Sequence, residues 1–500
     1  MSQQNVAVIG AGLGGLSAAI SLRAAGYEVD IFEKNAQIGG KLNVLKKEGF
    51  TFDLGPSIFT LPQYFRSLFA RAGKNFDNYV TLDPVTPHWR NFFEDGLVFD
   101  LHQENDLMRR EMEKLPGDPA VYWKEFQEFM SYARKQFEII EEGYFDKGLD
   151  TLWEFLRYYG FRRLGKHVDY RSTMSGAIAE RFSEPHLRDI FEYFIKYVGS
   201  SALDSPGYMN MMPVIQFDYG LWYVRGGMYA LAEGFGKAMD EMGIRVHLNS
   251  DVTSITRTGK TVTGLTFAEG GPFPADIVVS NMEVIPCYEK LLNEPPRIMR
   301  KYEKFAPTCS GIVAHIGTRV PYPQLAHHNF FYSTEQHKHF RTVFHEKKLP
   351  HDPTVYVVAP TRTDPSKAPE GCDNIKILPH IPPLQEGGEI PRQDYLDLYD
   401  RILAKMERAG LKDLRKNIIV EDILLPEDIQ RMYRSNKGSI YGVVTDWKKN
   451  HGFKAPKTSK HYKNLYFCGG STNPGGGMPM VVLSGQKLAD RVIKRHPPTP

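Results

Sequence analysis

The sequence predicts a mixed α/β and α+β fold in which a Rossmann-like domain is assembled from separated stretches of chain, with a second domain inserted between them. Three observations lead there: a strand, glycine-rich turn and helix at the amino end, a second such unit at the carboxyl end, and a Gly-Gly turn followed by a helix and two short strands midway. A chain of 500 residues with 42% hydrophobic content is too long for one ordinary core and apolar enough to bury more than one.

At the amino end, Val6-Ala7-Val8-Ile9 is a short apolar run of the kind a buried parallel strand presents. Gly10-Ala11-Gly12-Leu13-Gly14-Gly15 follows at once, and Leu16 to Ala25 reads as a helix. Gly10 permits a tight turn, Gly12 lets the backbone approach a pyrophosphate, and Gly15 allows helix and strand to pack closely, while the free N–H groups of the helix start face the anion. A second strand, Glu28 to Glu33, ends on a carboxylate placed to accept hydrogen bonds from a ribose hydroxyl. Strand, turn, helix, strand and acid together specify a dinucleotide site.

The elements that follow indicate which dinucleotide. Ile38-Gly39-Gly40-Lys41 and Phe52-Asp53-Leu54-Gly55-Pro56-Ser57 come next, where a nicotinamide dehydrogenase would continue with further βαβ units. At the carboxyl end Asn464 to Cys468 reads as a strand, Gly469-Gly470-Ser471-Thr472-Asn473-Pro474-Gly475-Gly476-Gly477-Met478 as a turn, and about Met480 to Lys494 as a helix. Its N-terminus offers backbone donors to negative charge. Midway, Gly226-Gly227 precede a helix over about Met228 to Met242, and Ile244 to Leu248 and Asp251 to Ile255 look like short strands.

These segments resemble the FAD-binding signature of the amine oxidase and phytoene desaturase superfamily, which implies a domain of the glutathione reductase and amine oxidase type with FAD as cofactor. The resemblance places Gly40 and Lys41 at the pyrophosphate and ribityl region, although the family usually has Arg where this chain has Lys41, a point charge rather than a fork. It places the backbone of Val252 at the adenine ring, and it puts Gly55 and Pro56 with Gly469, Gly470, Gly475, Gly476, Gly477 and Met478 around the rest of the cofactor. Gly470 and Ser471 stand where amine oxidases usually carry an acidic residue, and no aromatic pair near Gly475 to Met480 could cage an amine. Residues 1–85, 226–295 and 431–500 are assigned to the FAD domain, and 86–225 and 296–430 to a substrate and membrane-contact domain.

A formal charge of +3 with scattered basic residues argues against a nucleic-acid partner. Cys287, Cys309, Cys372 and Cys468 lie far apart and read as reduced thiols of a cytoplasmic protein. No stretch has the roughly twenty apolar residues a membrane-spanning helix needs. Leu152 to Arg163, with Arg157, Arg162, Arg163 and nearby Lys166, mixes rings and cations as an interfacial helix does, and equally as an ordinary helix with a basic face does. Phe191 to Val198 and Asn329 to Tyr332 are aromatic stretches that could line an apolar tunnel or fill cores. His327-His328 and His345-Glu346 form no metal motif, so no metal is assigned, and no catalytic side chain stands out. No second GxGxxG appears, so oxygen or a quinone is expected to reoxidise the flavin.

Beyond the cofactor region, Tyr193 to Ser201, Ser280 to Pro286, Tyr322 to Phe331 and Asn473 to Met480 are similar to the thirty-carbon carotenoid branch of the phytoene desaturase family. The resemblance implies a bacterial oxidoreductase on the inner face of the cell membrane that oxidises a terminal methyl of 4,4'-diaponeurosporene toward an aldehyde. Desaturation of 4,4'-diapophytoene is the sister reaction, and a prenyl-lipid escort without catalysis a more distant alternative.

Overall fold

The computed structural model describes residues 4–498, apart from the side chains of residues 161, 162 and 164–167. Its Rossmann-like layer is a five-stranded sheet in the order Leu465–Phe467, Ile277–Ser280, Asn5–Ile9, Glu28–Phe32, Arg245–His247, and every pairing in it is parallel. A parallel sheet is covered on both faces, so its strands read as continuous apolar runs, and alternation then decides what each residue meets. Val6 and Val8 pack toward the helices Leu13–Ala24, Tyr229–Glu241 and Met478–Arg495. Ala7 and Ile9 turn the other way, onto an antiparallel sheet of Val252–Thr258, Thr261–Phe267 and Phe273–Pro274.

The first helix starts at Leu13, not at Leu16 as the apolar pattern suggests, and Gly14 and Gly15 are its first turn. Close packing explains why helix-weakening glycines sit there. A Cβ on Gly15 would overlap the carbonyl oxygen of Gly10, and one on Gly14 would lie 2.6 Å from Asn281 Oδ1 and 2.9 Å from Gly469 N. The last helix crosses the first with the same economy: a Cβ on Gly485 would lie 2.5 Å from the Gly14 carbonyl oxygen, and Ser17 Oγ donates to the Val482 carbonyl at 2.5 Å. The two ends of the chain are thus locked together by this packing.

A second, eight-stranded sheet runs in the order Ile418–Leu424, Val313–Thr318, Asp373–Ile381, Val355–Val358, His328–Phe331, Trp89–Phe92, Val98–Leu101, with the short strand Ser310–Gly311 beside Asp373–Ile381. One face packs on helix Arg392–Arg408, whose Tyr395, Leu398, Tyr399, Ile402, Leu403 and Met406 recur at helical spacing. The other face, through Val313, Phe330, Tyr356, Val358 and Leu378, joins the largest core together with helix Pro119–Ile140, capped by the Asp118 carboxylate on Ala120 N.

All four cysteines are free thiols. Among the described residues no helix is long and apolar enough to cross a membrane. Helix Leu152–His167 bends at Gly160, where φ is +71°, and it carries Trp153 70% exposed and Tyr158 42% exposed. Arg163 is spent on an ion pair with Glu142 at 2.8 Å, and the side chains of Arg162 and Lys166 lie outside the described residues.

Candidate cofactor cleft and substrate cavity

At the carboxyl ends of the first two strands, where open α/β sheets bind ligands, a cleft of about 1730 Å³ opens. Gly10, Gly12, Leu13, Gly14 and Glu33 form one wall of it, with Gly40, Lys41, Gly55, Pro56 and Val252 farther along. Gly469, Gly470, Gly476, Gly477 and Met478 arrive from the carboxyl end and close the far side. Three of the residues anticipated for the cofactor do not line this wall. Ala11 gives its N–H to Glu33 instead, Gly15 serves helix–strand packing, and Gly475 faces Lys454.

Two helices end on the cleft, and neither is capped by a side chain: Gly12 precedes the first and Gly477 the last. Their first-turn N–H groups are therefore offered to whatever occupies the cleft, as a pyrophosphate or an electron-rich ring edge requires. Glu33 is set by the N–H groups of Ala11 at 2.8 Å and Asn35 at 2.9 Å, which fix its two oxygens and leave lone pairs for hydroxyl donors. The donor set fits a dinucleotide: amides for anionic oxygens, a fixed carboxylate for a ribose. Lys41 adds one cation, donating to the carbonyls of Ser439 at 3.1 Å and Ile440 at 3.0 Å, with the Glu283 carboxylate 3.9 Å away. Burial draws the Lys41 amine below its ordinary range and raises the Glu283 carboxyl, and their mutual attraction opposes both shifts.

A second cavity, about 1220 Å³, meets the cleft along a seam formed by Gly55, Pro56, Lys376, Leu378, Tyr441, Gly476, Gly477 and Met478. Away from the seam its wall is mostly apolar, with Ile58, Leu61, Ile140, Phe145, Phe155, Met211, Met212 and Ile215. An elongated hydrocarbon loses little by entering such a space, because few wall groups need water. Lys376 stands on the seam and is nearly sealed from solvent. It donates to the carbonyls of Asp53 and Gly55 and, at 3.1 Å, to Ser57 Oγ. Burial lowers its amine to about 8 against the attraction of Asp53.

The aromatic stretches contribute less to this wall than their composition suggests. From Phe191 to Val198, only Lys196, Tyr197 and Val198 face the cavity, while Phe191, Tyr193, Phe194 and Ile195 fill the core. Asn329 to Tyr332 are core residues throughout, because His328–Phe331 lies inside the sheet between Val355–Val358 and Trp89–Phe92. His327 and His328 are also buried away from both spaces, bonded to Thr363 Oγ1 at 2.7 Å and to the Tyr356 hydroxyl at 2.9 Å, and burial lowers His327 to about 3.

Sequence reasoning missed Asn281, Glu283, Lys376, Tyr441 and Lys196. Asn281 follows strand Ile277–Ser280 and wedges its amide among Gly12, Gly14 and Gly469. Asp100, His102 and Glu111 bring ligand atoms within 4.8 Å of one another, yet Arg90 holds Asp100 at 2.7 Å and Lys114 holds Glu111 at 2.7 Å. That cluster is an ion-pair network whose charges are already neutralised.

Comparison with known proteins agrees with this geometry. Residues 13–493 match the family described as flavin containing amine oxidoreductase. A 4,4'-diapolycopene oxygenase of Methylomonas sp is 52% identical over 490 residues, covering 98% of each chain. A 4,4'-diaponeurosporene oxygenase of Staphylococcus haemolyticus is 46% identical over 493 residues, covering 98% of this chain and 97% of its own. Among solved structures, a putrescine oxidase variant superposes with TM-score 0.67 at 14% identity, covering 99% of both chains, and an oxidoreductase from Methanosarcina mazei with TM-score 0.64 at 14% identity, covering 97% of this chain and all of its own. At that identity the structural likeness concerns the fold.

Proposed function

The chain belongs to the flavin containing amine oxidoreductases, and from that premise we propose that this flavin-dependent oxidoreductase holds FAD in the cleft and oxidises a terminal methyl of 4,4'-diaponeurosporene to the aldehyde, 4,4'-diaponeurosporenal. The observation that carries the reading is the seam, where an apolar cavity opens directly onto the cofactor cleft at Gly55-Pro56, Lys376 and Gly476 to Met478. The oxygenase names and near full-length coverage of the relatives support the substrate class.

In this reading the residues work mainly by placement. Leu13, Gly14 and Met478 sit at the helix starts that receive negative charge, and Glu33 holds a ribose. Gly40, Lys41 and Val252 line the remaining length of the cofactor, and residues 1–85, 226–295 and 431–500 make up its domain. Ile58, Phe155 and Met212 line the apolar wall that receives the hydrocarbon body and keep water from it. When bound, flavin supplies hydride acceptance from a carbon whose cation the polyene delocalises, which relieves the protein of providing a strong base. Water captured by that cation supplies the oxygen atom and leaves the alcohol, loss of a second hydride and a proton gives the aldehyde, and oxygen or a quinone takes the four electrons on.

Mass spectrometry of pigments from cells that make 4,4'-diaponeurosporene, with and without this protein, tests the reaction. The expected product has gained one oxygen and lost two hydrogens. 4,4'-Diapolycopene belongs in a parallel culture, because the Methylomonas relative carries that name. Unchanged pigment in both, with hydrogen loss from 4,4'-diapophytoene instead, would replace the oxygenase by a desaturase.

A substrate of this kind resides in a bilayer, and the exposed Trp153 and Tyr158 suit docking at one leaflet. Removing the Trp153 ring and adding a charge, Trp153→Asp, should weaken co-sedimentation with anionic phospholipid vesicles by about tenfold. Sedimentation equal to wild type would remove this helix from the contact.

A further inference from the structure

Two buried lysines, Lys196 and Lys376, line the substrate cavity and a third, Lys454, lies behind its wall at Phe453 and Thr445; two of the three are satisfied by oxygen. Lys376 donates to two carbonyls and a hydroxyl, and Lys454 donates to the Val443 carbonyl at 2.6 Å and Thr445 Oγ1 at 2.6 Å. Lys196 is different. Its residue is 3% exposed, and its amine looks onto ring faces: 3.7 Å from the centroid of Tyr356, 4.6 Å from Phe330, 5.1 Å from Trp89 and 5.2 Å from Tyr197. Among the described residues it has no hydrogen-bond acceptor and no carboxylate partner, yet it lines the cavity.

A buried amine without an acceptor costs free energy, and a cavity meant only for hydrocarbon gains nothing from it. We propose that Lys196 anchors a polyene terminus that already carries an oxygen, so that the cavity's ligands include the hydroxylated and aldehyde forms of the chain as well as the hydrocarbon. The inference rests on the oxygenase reading above. Conversion of a methyl to an aldehyde passes through a half-oxidised end, and an amine at the wall of a mostly apolar cavity retains that end for the second stage. The cavity wall accepts the hydrocarbon body, and the amine distinguishes the terminus. Burial, reinforced by Lys376, holds the Lys196 amine well below its ordinary range.

Two measurements on the protein loaded with reduced flavin, kept free of oxygen, test this. In the first, 4,4'-diaponeurosporene and 4,4'-diaponeurosporenal are titrated into wild type and Lys196→Met. The aldehyde should bind the variant about tenfold more weakly, while the hydrocarbon changes by less than about twofold. Equal changes for both ligands, or none, would overturn the anchor. The second needs no variant: cyanoborohydride is added to wild type with the aldehyde, and peptides are mapped by mass. An amine touching the carbonyl is trapped as a secondary amine, and the adduct should fall on Lys196. Adducts on Lys376 or Lys454, or none in aldehyde-bound protein, would refute the assignment. Binding of neither polyene would reject the oxygenase reading and this inference with it, whereas binding of both without discrimination rejects the inference alone.

Discussion

Gly15→Ala should yield protein that purifies almost free of flavin. The added Cβ would overlap the Gly10 carbonyl oxygen, a backbone atom fixed by the turn, with Asn281 Cβ at 3.2 Å on the other side. Neither neighbour is a flexible side-chain tip, so the helix must move off the strand, and its uncapped first-turn N–H groups move with it. Charge-assisted hydrogen bonds from such groups are worth about 1.5–3 kcal/mol each, so misplacing two of them weakens cofactor binding by over about a hundredfold. Absorbance of flavin per protein chain after gel filtration is the readout. Gly271→Ala is the control, since a Cβ there meets nothing within 4 Å and its φ is not positive. Wild-type flavin content in Gly15→Ala would mean that the cleft holds its cofactor by something other than this helix start.

The same physics explains what could be read from the sequence. A cradle built of backbone amides leaves a local signature, because close approach demands glycine at fixed offsets. Gly10 to Gly15, Glu33 and Gly469 to Met478 were therefore visible, and most of them line one cleft. The helix start was misplaced at Leu16 because propensity disfavours glycine inside a helix, while tertiary packing at Gly10 and Gly469 requires it.

Residues supplied by distant segments left weaker traces. Lys376 lies in Asp373–Ile381, a strand buried along its whole length, where Ile375 and Ile377 face one core and Lys376 and Leu378 the cavity. A lysine inside an apolar strand, and another inside Phe194-Ile195-Lys196-Tyr197-Val198, were the available signals, since a buried cation needs a reason. The aromatic stretches misled for the opposite reason. Rings fill cores by default, and in Asn329 to Tyr332 only the pairing of the strand with two neighbours decides where they go.

Asp150→Ala should destabilise the fold by about 3–5 kcal/mol, the cost of leaving a buried charge without its partner. Asp150 and Lys457 are both within 1% of complete burial. The carboxylate accepts from the Lys457 amine, from Lys457 N at 3.1 Å and from Asn473 Nδ2 at 3.3 Å and forms an ion pair with Arg491 at 3.1 Å, while the Asp150 carbonyl accepts from Asn473 Nδ2 at 3.0 Å. One side chain therefore ties the entrance of helix Leu152–His167 to the last helix and to the glycine-rich turn that closes the cofactor cleft. Its loss strands Lys457, whereas Arg491, 26% exposed and 3.5 Å from Glu154, can turn to solvent and a second carboxylate. Adding Lys457→Met to Asp150→Ala should therefore recover a large part of the loss, because the stranded cation is gone and an apolar chain replaces it. Denaturant unfolding of the single and double variants gives the coupling, and flavin release on heating should shift in the same order. If the double variant is as unstable as the sum of its singles, the ion pair is not what holds the turn, and the bond from the Asn473 side-chain amide to the Asp150 carbonyl becomes the determinant.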